Sequence, residues 1–175
     1  MRLKGKKVLI FVGPYFEDLE FWYPKIRLEE EGAEITVAGL GEKMYRGKKG
    51  LTAETDGPAE KFVNEVFDAV LIPGGWGPDK LRLNSAVLEI VRKADAANKV
   101  VASICHGGWV LISAGVVEGR KVTGYISTKD DLLNAGAIYQ DAPVVVDNNL
   151  ITARVPADLP YFCRAVVETL EKSNM

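Results

Sequence analysis

"VVASICHGGW", residues 100–109, runs from an apolar stretch into Cys105 and then into His106, the only histidine of the chain. A continuous apolar run rich in β-branched residues is the pattern of a strand covered on both faces. Gly107 and Gly108 then allow the backbone to turn sharply and to pass close to its neighbours. A strand that stops at a cysteine and turns at once into a helix beginning "HGG" has the shape of a nucleophile elbow, whose strained turn holds the reactive atom clear of the sheet. Backbone N–H groups and the dipole at a helix start favour a thiolate, so the Cys105 pKa is expected below the free value of about 8.5. The same pattern also fits a buried structural cysteine, the commonest fate of the residue.

The rest of the chain supplies partners for that strand. "KVLIFVG" (Lys7 to Gly13), "AEITVAGL" (Ala33 to Leu40) and "DAVLIPGG" (Asp68 to Gly75) read as further buried strands. Amphipathic helices are expected from Phe16 or Glu17 to Glu31, stopped by Gly32, and from Ser85 to Ala97. Apolar strands alternating with helices form βαβ units, which gives an open α/β sandwich with a parallel sheet covered on both faces. Residues 44–58 are polar and glycine-rich, with "KGLTAET" as a short strand or hairpin arm. Beyond the elbow we expect a short helix ending near Ala114-Gly115, a small strand at "KVTGY", and a capped helix in "STKDDLLNAG" stopped by Gly136. A hairpin follows, with arms Val144 to Val146 and Leu150 to Ala153, and then a final helix from Ala157 to Lys172. No repeat or linker divides residues 1–175, so a single domain is expected.

Composition narrows the function. A net charge of −2 offers no concentrated basic surface, so no nucleic acid binding is expected. No apolar run approaches the roughly 18 residues of a membrane span, and the opening "MRLKGKKVLIFVG" has too short an apolar segment for a signal peptide. The expectation is a cytoplasmic protein in which Cys105 and Cys163 are reduced thiols. One histidine and two separated cysteines make no zinc site, and no cofactor signature is present. Cys163 falls on a stripe with Leu159, Phe162, Val166 and Leu170, which assigns it to packing.

Ligands of open α/β sheets bind where strands end, and three unusual segments fall at such ends. In "GPYFEDLE" the carboxylates Glu17, Asp18 and Glu20 lie at a helix start. They either complement the helix dipole or send one member inward to Cys105, where burial would raise its pKa and let it donate to the thiolate. Spacing leaves open which one turns inward. "PGGWGPD" carries glycine N–H groups suited to an oxyanion hole, with Asp79 as an orienter of an imidazole; it also fits a plain turn. The third segment is the elbow itself.

Taken together, "FEDLEFWYP", "DAVLIPGGWGPDKLR", "VVASICHGGWVLISAGVVEGRKVTGY", "KDDLLNAGA" and "VVVDNNLITARVPADLP" resemble the PfpI-type intracellular proteases of the ThiJ/PfpI superfamily across almost the whole chain. The resemblance implies a flavodoxin-like sandwich with Cys105 as nucleophile, Glu20 hydrogen-bonded to it and Glu17 lining the pocket. It implies Gly75 and His106 as backbone oxyanion donors within a turn that includes Gly74, and Tyr125 near the site. It further implies a homo-oligomer with a shared active site, in which His106 is oriented by an acid after Pro-Gly-Gly of a neighbouring subunit; the matching residue is Asp79. Gly108 departs from the family's usual proline and leaves the elbow less stiff.

Because adjacent side chains seldom face each other, the expectation is that His106 gives its backbone N–H to the oxyanion hole and turns its imidazole toward a neighbouring subunit. Class I glutamine amidotransferases share the cysteine elbow but use a later histidine, and none follows His106. The leading expectation is a cysteine hydrolase acting on peptides, or on dicarbonyls and their protein adducts. The alternatives are a redox or stress sensor built on an oxidisable Cys105 and a plain binding module.

Overall fold

The structure, a computed structural model, describes residues 1–173. In chain order the elements are β1 (Lys7–Phe11), α1 (Asp18–Glu30), β2 (Glu34–Gly39), β3 (Met44–Arg46), β4 (Thr52–Glu54), β5 (Gly57–Pro58) and β6 (Ala69–Ile72). There follow α2 (Gly77–Leu81), α3 (Ser85–Ala96), β7 (Val100–Ile104), α4 (Gly108–Ala114), β8 (Lys121–Val122), α5 (Lys129–Asn134), β9 (Ile138–Tyr139), β10 (Val144–Asp147), β11 (Leu150–Ala153) and α6 (Leu159–Lys172).

Seven strands form one sheet in the order β10-β11-β7-β6-β1-β2-β5. Every pairing is parallel except the β10–β11 hairpin at one edge. The alternation of strand side chains divides the interior in two. Val8 and Ile10 of β1, with Ala102 and Ile104 of β7, pack toward Phe21 and Leu28 of α1 and toward Phe162 and Val166 of α6. Leu9 and Phe11, with Val70, Ile72 and Val101, face Val87 and Val91 of α3 and Val110 and Leu111 of α4. This is the flavodoxin-like sandwich expected, because strands apolar at every position are buried on both sides. Cys163 lies 1% exposed in the first layer beside Phe162 and Val166, and both cysteines are free thiols.

Some local features differ from the sequence expectation. Helix α5 has no side-chain cap; the Thr128 hydroxyl donates to the Tyr125 carbonyl at 2.7 Å. The hairpin arm at Thr52–Glu54 pairs with Met44–Arg46, while β5, α2 and β9 are too short to leave a periodic signal. Among the described residues no helix is long and apolar enough to cross a membrane.

Candidate active site

β1, β6 and β7 end side by side, and the loops after them build one site. Cys105 has φ 59°, a left-handed conformation that non-glycine residues adopt only at a cost of about 1–3 kcal/mol. The chain then makes a 3-10 turn over Cys105–Gly107 before α4 begins. Close packing forces glycine at the centre of that turn, since a Cβ on Gly107 would lie 2.5 Å from the Ile72 carbonyl oxygen.

The turn corrects the expectation that the adjacent side chains of Cys105 and His106 do not face each other. His106 Nδ1 lies 3.3 Å from the Cys105 sulfur in the same chain, and Nε2 lies 3.3 Å from the Ser127 hydroxyl. The left-handed residue and the tight turn rotate consecutive side chains toward each other, which the adjacency argument had not allowed for. The Tyr125 ring lies 4.9 Å from the imidazole at an interplanar angle of 30°, and Trp109 meets it edge-on at 5.0 Å. Burial, and then the Lys48 charge, lower the His106 pKa, so the ring is neutral at pH 7. With its proton on Nε2 it donates to Ser127 and offers Nδ1 to the thiol as an acceptor.

The three carboxylates of "FEDLE" have separate tasks. Glu17 is the N-cap of α1 and accepts the Glu20 N–H at 2.8 Å. Asp18, 2% exposed, turns to the β3–β4 loop and accepts the N–H groups of Lys49 and Leu51 at 2.7 and 2.8 Å. Glu20, 1% exposed, is the one directed at the cysteine. Its Oε1 accepts the Gly74 N–H at 3.0 Å, its Oε2 is buried with no hydrogen-bond partner among the described residues, and the carboxyl and Cys105 face each other across Gly74. Burial, followed by the Glu17 carboxylate, pushes the Glu20 pKa up to about 8, so the group is mainly a neutral acid at pH 7.

Burial and the charge of an ionised Glu20 push the Cys105 thiol up to about 12, opposed by the backbone N–H groups of His106 and Gly75 and by Lys48. This overturns the lowering expected from the helix start. The elbow is buried and opens into a tight turn, so its N–H groups do not outweigh desolvation. The Glu20 contribution exists only when that carboxyl is charged; below about pH 8 it is neutral and ceases to repel a thiolate.

The backbone N–H groups of Gly75 and His106, from two different loops, lie near enough to the sulfur to favour its charged form. Gly75 has φ +80° and forms a bridge with Phe16, and the Glu17 N–H donates to the Gly74 carbonyl at 3.1 Å. Gly74 fills the space between the acid and the thiol, where a Cβ would lie 2.5 Å from Glu20 Oε1 and 2.7 Å from Cys105 Cβ. Asp79 does not join this group. Its side chain, on α2, is 59% exposed and lies 3.7 Å from Lys80, with no hydrogen bond or ion pair to His106 of its own chain among the described residues.

Sequence reasoning missed Lys48, Ser127 and Trp109. Lys48 acts on Glu20, Cys105 and His106 alike, but in "YRGKKG" nothing distinguishes it from a solvated charge run. No cluster of three or more His, Cys, Asp and Glu side chains is placed to hold a metal among the described residues.

A flavodoxin-like sandwich with a left-handed cysteine elbow, a buried protonated glutamate and converging backbone N–H groups defines a class of cysteine-centred α/β proteins. The model of the DJ-1/PfpI family matches residues 6–169, and the chain belongs to that family. It is 46% identical to a Pyrococcus horikoshii protein named as a deglycase, over 94% of this chain and 99% of that one. It is 39% identical to a putative cysteine protease of Bacillus subtilis, over 95% and 99% of the two chains. Among solved structures, Drosophila melanogaster DJ-1beta superposes with a TM-score of 0.89 at 31% identity, covering 95% of this chain and 90% of that chain.

Proposed function

We propose that the protein is a cysteine-dependent hydrolase of peptides, or of dicarbonyls and glycated protein adducts, with Cys105 as nucleophile. The observation that carries this reading is the Cys105 sulfur, 3.3 Å from His106 Nδ1 and facing the N–H groups of Gly75 and His106. Neutral His106 takes the thiol proton, the sulfur bonds to the electrophilic carbon, and the resulting oxyanion accepts the two N–H groups. Protonated Glu20 stabilises the thiolate without opposing its charge. With a peptide, His106 returns the proton to the departing amine, leaving an acyl-thioester on Cys105; with a dicarbonyl, the hemithioacetal carbon gives up its hydrogen as a proton and the neighbouring carbonyl carbon takes one up through an enediol, which yields a hydroxyacyl-thioester. Water then hydrolyses either thioester to the acid and restores the thiol.

The names carried by the relatives favour this chemistry over a plain binding module. Asp79 of the partner subunit is the proposed orienter of His106 in a homo-oligomer; its exposed carboxylate is free to meet a second copy. Incubating the wild-type protein with methylglyoxal and with casein, beside a Cys105→Ser control, tests the reading and separates the two substrate classes. Turnover of one of them that disappears in the control supports it; equal turnover in the control removes the nucleophile role for both.

A further inference from the structure

Next to the Gly74-Gly75 turn lies an open cavity of about 470 Å³ lined by Tyr15, Lys48 and Trp76. Its walls are tied to the oxyanion turn through the backbone. The Trp76 N–H donates to the Tyr15 carbonyl at 2.9 Å, the Lys48 N–H donates to the Phe16 carbonyl at 2.9 Å, and Phe16 itself bridges Gly75. The lysine is held from below as well, because Asp18 accepts the N–H groups of Lys49 and Leu51 and Gly47 leaves no room between that carboxylate and the loop.

The aromatic walls are exposed within the single chain. Tyr15 is 59% exposed and Trp76 is 61% exposed. Tyr15 is also held at φ 54°, a strained conformation whose ring buries little in return. Two exposed rings beside the ammonium of a lysine whose loop backbone is held, next to the Gly75 turn, make an open recess with the chemistry to take a flat anionic group.

We infer that the Tyr15–Lys48–Trp76 recess is an anion-binding subsite, which selects substrates bearing a carboxylate close to the carbon that Cys105 attacks. The inference rests on Cys105 being the nucleophile and narrows the substrate class. An α-oxo acid aldehyde, or an adduct or peptide with a carboxylate beside the reacting carbonyl, is preferred over its neutral isostere. Lys48 also lies close enough to steady the thiolate itself, so loss of the lysine slows reagents of every charge. The anion preference is therefore read as a ratio, in which that shared effect cancels.

The test compares alkylation of Cys105 by iodoacetate and by iodoacetamide, two reagents of similar size that differ in charge, followed by peptide mass spectrometry. Lys48→Met is expected to lower the iodoacetate-to-iodoacetamide rate ratio about tenfold. Lys48→Arg should keep the ratio within about twofold, and Lys49→Met, on the same loop, should leave it unchanged. An unchanged ratio in Lys48→Met overturns the subsite while leaving the nucleophile in place. Failure of both reagents to modify Cys105 in the wild-type protein overturns the nucleophile reading and the subsite with it.

Discussion

The sulfur of Cys105 lies 3.3 Å from Nδ1 of His106, the residue that follows it in the chain. A nucleophile and base at consecutive positions meet only because Cys105 is left-handed and Gly107 permits the tight turn after it. Replacing His106 by Gln is expected to lower kcat/KM by about 10² to 10⁴-fold, the usual contribution of a general base. The His106 pKa is lowered from 6.5, and the base works when neutral. The acid limb of the wild-type pH–rate profile should therefore fall below pH 6.5, and His106→Gln should lack it.

The buried acid gives a second pH signature, in stability. Glu20 titrates near 8 in the fold against 4.5 when unfolded, so the folded state holds a proton that the unfolded state releases between those values. Stability is then lost as the pH rises from about 4.5 to about 8. Glu20→Gln, which stays neutral, should resemble wild type at pH 4.5 and exceed it by a few kcal/mol, to order of magnitude, at pH 8.5. Urea melts at the two pH values measure this, and equal differences at both would contradict the buried neutral acid.

Much of the sheet was legible because β1 after Lys7, β6, and β7 apart from Ser103 are runs of consecutive apolar residues ended by turn signals, the pattern of a parallel strand covered on both faces. The elbow was legible for the same reason, as a strand that breaks at Cys105. The tasks of Glu17, Asp18 and Glu20 were not. The three sit within four residues on one helix start, and only the path of the distant 46–51 loop separates a clamp from an acid. The direction of the Cys105 pKa was not legible because the local helix start is visible in sequence whereas the burial of the thiol and the nearby Glu20 carboxyl are not.

Asp18 makes a prediction about the loop. Asp18→Asn removes the charge that holds two backbone N–H groups, a loss of about 1–3 kcal/mol for a buried charged acceptor. The 46–51 loop should then open locally, and trypsin should cut after Lys48 or Lys49 several times faster than in wild type. An unchanged cleavage rate would show that the loop is held by other means.

Gly74→Ala inserts a methyl group between Glu20 and Cys105. Overpacking of this kind costs about 1–3 kcal/mol. Because the displaced atoms are the reacting ones, activity should fall further than stability, by about 100-fold in kcat. Thermal melts beside steady-state rates distinguish this from simple unfolding.

Sharing of the site between subunits is tested by mixing. If the proposed homo-oligomer shares its site, the Asp79→Ala and Cys105→Ser proteins should each be nearly inactive, and mixing them should restore turnover through sites that combine an intact Cys105 with an intact Asp79. A fully active Asp79→Ala protein would refute the shared site.

The most direct measurement follows activity and thiol modification in one sample. The native protein is treated with iodoacetamide at pH 7, and residual turnover is plotted against the fraction of Cys105 and of Cys163 alkylated. Activity should fall in proportion to Cys105 modification and reach zero while Cys163, on the buried face of α6, is still unmodified. Full activity in protein whose Cys105 is completely alkylated would contradict the nucleophile.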